Sequence, residues 1–310
     1  MRVAITGATG LIGRAVAAEL RGAGHEIVAI SRSAGAARRL FPVEAADVVV
    51  WDPMVGRIDA ARLEGVDAVI HLAGETIAGL WTGRKRARIR ESRVRGTELL
   101  AHTLAGLSHP PRALLSASAI GYYGDRPPDT PLDEDSPPGS GFMAETGVAW
   151  EAATRAAEEA GIRTTRMRFG LVMDPRGGML AAILPIFRLG LGGRLGSGRQ
   201  VMSWIALDDA VRAILHILGN EGLAGPVNVV APNPVSNREF TRMLGRVLRR
   251  PAPFIVPAFA LRLLPGDMAR EMLLGGARVV PARLHAAGFQ FTWPELEPAL
   301  RGMLGSDRKR

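Results

Sequence analysis

The segment TGATGLIG, residues 6–13, constrains the fold of this chain more than any other feature. Its glycines follow the apolar run Val3–Thr6 and precede the helical spacing of Leu11–Ala23. Glycine allows positive φ and close backbone approach, and a helix that begins at such a loop offers free N–H groups. Strand, loop and helix together predict a site for the pyrophosphate of a dinucleotide. The residues expected to contact it are Gly7, Thr9, Gly10, Leu11, Ile12 and Gly13.

Strand-like and helix-like segments alternate through the first half of the chain. Apolar strands separated by helices indicate parallel crossovers, so we predict an α/β fold with a doubly wound parallel sheet. The predicted strands are Val3–Thr6, Glu26–Ile30, Asp47–Trp51, Asp67–Leu72, Arg112–Ser116, Arg163–Phe169 and Val227–Val230. The predicted helices are Leu11–Ala23, Arg84–Leu107 and Thr146–Ala160.

The second half is less regular and predicts a smaller lobe. It contains the glycine-rich segment GLGGRLGSG, residues 190–198, and from Pro251 onward prolines punctuate short apolar helices. We expect a dinucleotide-binding domain at residues 1–172, to which residues 205–231 return. Residues 173–204 and 232–310 are expected to form the lobe that receives the substrate.

The end of the second predicted strand indicates which dinucleotide is preferred. It reads Ser31, Arg32, Ser33, without the carboxylate that holds the ribose 2′-hydroxyl of NAD. A guanidinium can bind a 2′-phosphate with two parallel hydrogen bonds, whereas a carboxylate would repel it. The sequence therefore predicts NADP(H) as the cofactor.

Charge and composition exclude several classes of protein. The net charge of +9 makes nucleic-acid binding a function to consider. The arginines are spread along the whole chain without interleaved aromatics, however, so no nucleic-acid partner is predicted. No apolar stretch is long enough to span a membrane and the chain opens directly into a strand, so we expect a cytoplasmic protein. The absence of cysteine excludes disulfides, thiolate metal sites and cysteine nucleophiles, and no metal site is predicted.

Five further segments accompany TGATGLIG: DAVIHLAG at 67–74, SRVRGTELL at 92–100, SASAIGYYG at 116–124, RFGLVMD at 168–174 and SWIALDDAVRAI at 203–214. Together they resemble the extended, epimerase-like branch of the short-chain dehydrogenase/reductase superfamily. The tail that begins PAFALRLLPGDMAR is similar to a C-terminal extension of unknown function found in one sub-branch. The resemblance implies a Rossmann fold, with Leu72, Ala73 and Gly74 beside the cofactor.

The resemblance also implies a catalytic tyrosine with a lysine four residues later, which lowers the tyrosine pKa. This chain lacks that pair. Four residues after Tyr122 and Tyr123 stand Arg126 and Pro127. Where the family carries the pair, the tyrosine position falls on residue 142 or 143 and the lysine position on residue 146 or 147, as Phe, Met, Thr and Gly.

Five residues remain as candidates for the chemistry. Ser118 fits the serine that positions a substrate oxygen, and Tyr122 or Tyr123 could face the substrate without an assisting lysine. Glu75 follows the fourth strand, where ligand crevices lie, and could act as acid or base; the alternative is a solvated charge at a helix start. Lys85 is the internal lysine of an arginine-rich chain and could exchange protons; the alternative is an exposed charge on a helix face.

Two functions follow from these residues. The first is an NADP(H)-dependent oxidoreductase or epimerase-like enzyme that acts on a small-molecule substrate whose identity the sequence does not give. The second is a non-catalytic NADP(H)-binding regulatory or sensor protein, which the missing tyrosine–lysine pair favours. A homodimer is the candidate assembly in either case.

Overall fold

A computed structural model describes residues 1–32, 35, 48–262 and 267–305. Its strands are β1 (Arg2–Thr6), β2 (Glu26–Ser31), β3 (Val48–Asp52), β4 (Arg57–Ile58), β5 (Ala68–His71), β6 (Ala113–Ala119), β7 (Pro131–Leu132), β8 (Arg163–Phe169), β9 (Leu171–Met173), β10 (Gly193–Leu195), β11 (Val201–Met202), β12 (Trp204–Ala206), β13 (Gly225–Val229), β14 (Val235–Ser236), β15 (Phe254–Val256) and β16 (Arg278–Val279). Its α-helices are α1 (Leu11–Gly22), α2 (Gly83–Ala105), α3 (Phe142–Ala152), α4 (Arg155–Glu159), α5 (Gly178–Arg188), α6 (Leu207–Gly219), α7 (Asn237–Leu248), α8 (Ala258–Arg262), α9 (Ala282–Ala286) and α10 (Leu296–Gly305). Short 3₁₀ helices lie at Ala60–Leu63 and Ile120–Tyr123, and a π-helix at Ala269–Leu274.

Within the described residues, a central sheet of eight strands runs in the order β13, β8, β6, β5, β1, β2, β3, β4. Every neighbouring pair is parallel except β3 and β4. The order reverses at β1, where β2 and β3 continue to one side and β5, β6 and β8 to the other. Ligands of open α/β sheets bind outside the carboxyl ends of the strands at such a reversal. The predicted doubly wound α/β fold is confirmed, although the start of the predicted third strand, at Asp47, lies outside the described residues.

Helices cover both faces of the sheet. On one face α1 and α6 pack through an apolar cluster that includes Val16, Leu20, Ile214 and Ile217. On the other face α2 and α4 pack through a cluster that includes Leu100 and Leu104. Because helices bury both faces of the sheet, its central strands are mostly apolar. The continuous apolar runs in the sequence predict this arrangement.

A third apolar cluster joins α5, α7 and α10. Its buried members include Leu184, Trp204, Phe240 and Leu300. The chain then crosses back, since β16 pairs with β7 in parallel and the Arg126 N–H donates to the carbonyl oxygen of Gly276 at 2.9 Å. The division into a dinucleotide domain and a substrate lobe stays a prediction.

The predicted helix Thr146–Ala160 is two helices with an earlier start. Its first helix, α3, begins at Phe142, where the carboxylate of Glu271 accepts two backbone N–H bonds. The break between α3 and α4 lies at Thr154, whose buried hydroxyl donates to the carbonyl oxygen of Glu151 at 2.8 Å. A side chain that bonds the backbone in this way competes with the helical ladder, which explains the interruption.

Buried polar groups join β1 to β5 at the point where the strand order reverses. The backbone N–H groups of Leu72 and Ala73 donate to Thr6 Oγ1 at 3.0 and 3.1 Å. With both lone pairs used, the Thr6 hydroxyl hydrogen is left for His71 Nδ1, which lies 2.7 Å away. The loop that follows β5 is thereby fixed to the end of β1.

The same histidine extends the connection to the helices. Its second ring nitrogen, Nε2, carries the hydrogen in this arrangement and donates to Thr97 Oγ1 on α2 at 2.9 Å. The indole N–H of Trp150 on α3 donates to the same oxygen at 2.9 Å. His71 is fully buried, and burial lowers its pKa from 6.5 to about 4, so the ring stays neutral in the folded protein.

His71 should make the folded state sensitive to acid. Its pKa is about 4 when folded and near 6.5 when unfolded, so the unfolded chain binds the extra proton as the pH falls through this window. The free energy of unfolding should therefore drop by about 3 kcal/mol from this residue alone between neutral pH and pH about 4. Urea unfolding of the parent and of His71→Gln at both pH values measures this contribution.

His102→Gln is the matched control, because His102 is exposed near the end of α2. The parent and His102→Gln should share the steep loss of stability, and His71→Gln should show a shallower one. The same pH slope in all three proteins would contradict a buried neutral histidine.

Candidate functional site

The glycine loop between β1 and α1 forms a cradle that no larger residue could build. Gly7 has φ +67°, and a Cβ there would lie 2.9 Å from backbone atoms of Leu72 and Ala73. A Cβ on Gly13 would overlap the carbonyl oxygen of Gly7. The Gly10 N–H donates to that same oxygen at 2.9 Å, which closes the turn. The loop thus packs against the end of β5, where the resemblance places the cofactor.

The N-terminus of α1 is open to an anion. Gly10 is its N-cap and supplies no side chain to bond the first turn, and the first turn contains no acidic residue. Thr9 and Gly10 are exposed, and Leu11 and Ile12 are half-buried against the core. Free backbone N–H groups and the positive end of the helix dipole are therefore presented to solvent, an arrangement that binds phosphates.

Arg32 follows β2, whose last residue is Ser31. Its side chain is exposed, and its charge is one of the influences that lower the pKa of Glu75. Arg32 and Glu75 therefore lie near enough to interact across the carboxyl edge of the sheet. Ser33, the third residue predicted for the 2′-phosphate, lies outside the described residues.

Glu75 and Lys85, selected separately from the sequence, form an ion pair. Lys85 Nζ donates to Glu75 Oε1 at 2.6 Å, and the Lys85 side chain is only 10% exposed. The hydrogen bond from Lys85 lowers the pKa of Glu75, with smaller contributions from the charges of Lys85, Arg88 and Arg32, while burial acts in the opposite direction. Glu75 is accordingly a carboxylate and can accept a proton but has none to give at neutral pH.

The segment that carries Glu75 is braced against α2. The Glu75 N–H donates to Ser92 Oγ at 3.0 Å, and Arg93 Nη1 donates to the carbonyl oxygen of Glu75 at 3.0 Å. Arg93 also stacks on the ring of Trp150, with 5.0 Å from its guanidinium carbon to the ring centroid. Gly74 faces this guanidinium, from which a Cβ would stand 3.5 Å away. Burial lowers the pKa of Arg93 to about 10, so it remains a cation.

Ser118, at the end of β6, belongs to a buried ionic cluster. Its hydroxyl donates to Glu151 Oε1 on α3 at 2.7 Å. Arg168 on β8 donates to both oxygens of the same carboxylate, through Nε at 2.7 Å and Nη2 at 2.8 Å. Glu151 and Arg168 are buried, and the sequence reasoning missed both. The sequence holds no signal that separates Arg168 from Arg163 and Arg166 of the same strand, although the structure buries Arg168 and leaves the other two half-buried.

The two tyrosines lie in different environments. Tyr123 is fully buried, and its hydroxyl contacts Asn228 Oδ1, the carbonyl oxygen of Asp133 and Arg168 Nη1, each at 2.8 Å. Burial raises the pKa of Tyr123 to about 12, although Arg168 opposes the shift. Tyr122 is half-buried, and its ring lies under the Arg168 guanidinium at 3.6 Å. Its hydroxyl makes no hydrogen bond to any residue that the structure describes.

Tight packing occupies the place where the family carries its lysine. A Cβ on Gly147 would stand 3.2 Å from the Cα of Tyr122, and one on Gly121 would stand 3.2 Å from the Cβ of Met143. The tyrosine turn and α3 are therefore in direct backbone contact. Thr146 is buried and its hydroxyl has no partner among the described residues. A lysine at 147 would require the turn that carries both tyrosines to shift by a few tenths of an ångström.

The C-terminal segment packs against the start of α3. Glu271 accepts hydrogen bonds from the N–H groups of Phe142 and Met143 at 3.0 and 2.9 Å, so its carboxylate caps α3. Phe142 meets the buried ring of Trp81 edge to face at 5.2 Å, and Met268 and Met272 pack against the same cluster. The Glu271 contact spans more than a hundred residues of sequence and has no local signal.

Neither a membrane-spanning helix nor a metal cluster is present in the part of the chain that the structure describes. None of its helices is both long and apolar enough to cross a bilayer. None of its histidine, aspartate and glutamate side chains gather in groups of three or more that could hold a metal ion.

Comparison with known proteins identifies two matching family models. Residues 3–231 match the NAD dependent epimerase/dehydratase family, and residues 256–303 match a domain of unknown function, DUF1731. An epimerase family protein of Mycobacterium bovis is 44% identical over 290 residues, which cover 93% of each chain.

Solved structures agree with these matches. The crystal structure of human epimerase family protein SDR39U1 (isoform 2) with NADPH gives a TM-score of 0.87 at 34% identity, covering 98% of this chain and 99% of that one. A nucleoside-diphosphate sugar epimerase from Corynebacterium glutamicum gives a TM-score of 0.79 at 35% identity, covering 99% of this chain and 58% of that one.

Substitution of Arg168 should lower the free energy of unfolding. Arg168→Met leaves the Glu151 carboxylate buried with Ser118 as its remaining donor, and breaking a buried ion pair on one side typically costs about 3–5 kcal/mol. The pair Arg301–Glu297, at 2.6 Å, has an exposed arginine and provides the matched control Arg301→Met, for which about 0.5 kcal/mol is expected. Urea unfolding measures both, and equal losses in the two variants would contradict the special role of the buried pair.

Proposed function

The chain belongs to the NAD-dependent epimerase/dehydratase family, and we propose that it is an NADPH-dependent enzyme that exchanges hydride with a small-molecule substrate in the crevice above β1, β5 and β6. The observation that carries this proposal is the open N-terminus of α1 beside the glycine cradle, with Arg32 at the end of the adjacent strand. The substrate remains open within the class of small carbonyl or hydroxyl compounds. A cytoplasmic location and a homodimer also remain proposals.

The residues present fit NADPH in two respects. Gly7 and Gly13 create space that any Cβ would fill, and the free N–H groups of α1 suit a pyrophosphate. Neither Ser31 nor Arg32 brings a carboxylate to the end of β2, and the Arg32 guanidinium suits a 2′-phosphate. The human relative solved with NADPH, 34% identical, supports the same preference.

The bound nicotinamide would supply or accept the hydride, so this chain must provide the proton. Tyr122 is the favoured group. Tyr123 is unsuited because its hydroxyl is buried and bonded on all sides and its pKa is raised to about 12. Tyr122 has a half-buried ring and a hydroxyl without a partner among the described residues.

Arg168 would assist Tyr122 in place of the missing lysine. Its guanidinium lies 3.6 Å from the centroid of the Tyr122 ring. A guanidinium over the ring attracts the negative charge that a phenol gains as it transfers its proton, and the bond to Glu151 holds the guanidinium in this position. Arginine does not itself exchange protons, so its contribution is electrostatic, and the proton must come back from solvent or substrate.

Ser118 and Glu75 have supporting roles in this proposal. The Ser118 hydroxyl is buried and donates to Glu151, so its role in this proposal is to hold the carboxylate that fixes Arg168. The Glu75–Lys85 pair presents a carboxylate and an ammonium at the same edge. It is the alternative proton-transfer pair if Tyr122 is dispensable.

A second function, NADPH binding without turnover, is favoured by one observation. Neither the tyrosine nor the lysine of the usual pair is present at residues 142–147, and the close contact between Gly147 and Tyr122 leaves little room for a larger side chain there. Such a protein would bind the cofactor and respond to it through a ligand or partner. Oxidation of bound NADPH distinguishes the two functions: the enzyme would oxidise it, and the non-catalytic protein would not.

Arg32→Ala tests the cofactor preference. Loss of a charged hydrogen bond to the 2′-phosphate should weaken NADPH binding about tenfold or more and leave NADH binding unchanged. Titration of both cofactors by calorimetry, with the exposed Arg57→Ala as control, measures this. NADPH affinity equal to the parent's would show that Arg32 does not contact the 2′-phosphate.

Tyr122→Phe tests the proton donor, with Tyr123→Phe as its neighbour control. Loss of a general acid should lower kcat by about two orders of magnitude or more while NADPH binding stays intact. Tyr123→Phe should keep turnover and lose about 1–3 kcal/mol of stability, because Arg168 and Asn228 lose a buried partner. The measurement is NADPH oxidation against a panel of quinones, aldehydes, ketones and sugar nucleotides.

The panel also separates the two functions. Full activity in Tyr122→Phe would assign the proton to the Glu75–Lys85 pair, and Lys85→Met would then be the inactive variant. Tight NADPH binding with no oxidation by the parent across the whole panel would support the non-catalytic function.

A further inference from the structure

A cleft of about 600 Å³ lies on the outer side of α7, between this helix and the segment that leads into β15. We call it the arginine cleft. Six arginines line it: Arg194, Arg238, Arg242, Arg246, Arg249 and Arg250. Its volume falls in the range of small-molecule sites. It is formed by different elements from those that carry the glycine loop and the crevice.

The pattern of α7 separates a core face from a face of like charges. Phe240 and Leu244 are buried in the apolar cluster. Arg238, Arg242 and Arg246 follow one another at intervals of four residues and line the cleft, so three cations stack along one face over about 12 Å. Like charges at this spacing disfavour a helix. The repulsion is relieved when an anion occupies the cleft.

Few of these cations are neutralised by the protein. Arg246 pairs with Glu297 at 3.1 Å, and Arg238 donates to the carbonyl oxygen of Ser197 at 3.1 Å. Arg194 is likewise bound to carbonyl oxygens, which carry no net charge. The side chains of the remaining three, Arg242, Arg249 and Arg250, make no hydrogen bond or ion pair with any residue that the structure describes, although Arg242 lies close enough to the Glu239 carboxylate to interact with its charge.

The abundance of arginine in the chain does not explain this arrangement. Several arginines elsewhere are matched with carboxylates, as in Arg168–Glu151 at 2.7 Å and Arg176–Asp174 at 2.7 Å. Others, such as Arg90, lie on the surface without a partner among the described residues. The cleft differs because it gathers arginines from three segments around a concave space. Glu297, the carboxylate that pairs with Arg246, is shared with Arg301.

Two further observations point to a ligand. Arg249 terminates α7 in the left-handed region, at φ +55° and ψ +42°, a position where glycine is ordinarily favoured. Thr241 lines the cleft and is 5% exposed, and its hydroxyl is buried without a hydrogen-bond partner among the described residues. The left-handed turn at Arg249 sets the position of the last two arginines of the lining, and the Thr241 hydroxyl is a buried polar group that lacks a partner among the described residues at the cleft.

The far wall of the cleft is apolar. Phe254 and Ile255 on β15 line it and are 50% and 52% exposed, beside Pro251 and Pro253. An inorganic ion would use the arginines alone. A ligand that also covers the exposed ring must carry an apolar group of its own.

We propose that the arginine cleft binds an organic phosphate, with its phosphoryl groups on Arg242, Arg249 and Arg250 and its apolar part against Phe254. The guanidinium fork suits phosphate oxygens, since each can receive two parallel hydrogen bonds. The site is additional to the dinucleotide site and does not depend on the function proposed for it.

Calorimetric titration with inorganic pyrophosphate and with geranyl pyrophosphate tests the site, in the presence and absence of saturating NADPH. The triple variant Arg242→Gln, Arg249→Gln, Arg250→Gln should bind both probes about tenfold more weakly or worse. Its matched control is Arg57→Gln, Arg90→Gln, Arg155→Gln, three exposed arginines without partners among the described residues, which removes the same three charges. Phe254→Ala should lose only the extra affinity for the geranyl compound.

NADPH distinguishes the two phosphate sites of the protein. Heat that disappears when NADPH is added comes from the glycine loop, and heat that disappears in the cleft variant comes from the cleft. The proposal is overturned if the parent binds neither probe in the presence of NADPH, or if the cleft and control variants bind alike. Matching thermal melts of the two variants establish that both are folded.

Vesicles distinguish the source of the phosphate. Cosedimentation with phosphatidylcholine vesicles that contain phosphatidic acid, lost in the cleft variant, would assign the phosphate to a lipid headgroup. Binding of geranyl pyrophosphate without cosedimentation would assign it to a free compound. Cosedimentation that the cleft variant retains would place any lipid contact elsewhere and contradict a headgroup in the cleft.

Discussion

The bidentate ion pair between Arg168 and Glu151 is the contact on which the site depends most. Two buried charges are tolerated only where nearly every polar atom finds a partner. Here Ser118 and the guanidinium share the carboxylate, while the free side of the guanidinium reaches Tyr123 and the carbonyl oxygen of Glu134. Few alternative arrangements satisfy these groups, so β6, β8, α3 and the tyrosine turn are held in one relative position.

That position also decides what the tyrosines can do. The guanidinium bonds to the hydroxyl of Tyr123 and covers the ring of Tyr122, so one phenol is fixed in the interior and the other is left with a cation beside it. The family's lysine would approach its tyrosine from the next turn of α3. In this chain the charge comes from the neighbouring strand instead, and α3 contributes a glycine that lets the turn approach.

Features formed by consecutive residues could be predicted from the sequence. Contacts between residues far apart in the sequence could not. The glycine loop lies within eight consecutive residues, and each glycine has a reason in the backbone around it. Glu75 and Lys85 were each selected from their own surroundings, but nothing in the sequence showed that they bond to each other. Glu151 and Glu271 were not selected, because their partners come from other elements, and only the fold brings them within reach.

The C-terminal extension supplies the group that caps the N-terminus of α3. The carboxylate of Glu271 accepts hydrogen bonds from two N–H groups at the start of α3, and Gly141 just before them leaves room for it because it has no Cβ. The first turn of a helix that borders the crevice is therefore completed by a residue from the last fifth of the chain. Extensions of this type cannot be exchanged freely among relatives: a chimera keeps its crevice only if the grafted tail brings an acidic side chain to this helix end, which ties the evolution of the tail to that of the sheet beneath it.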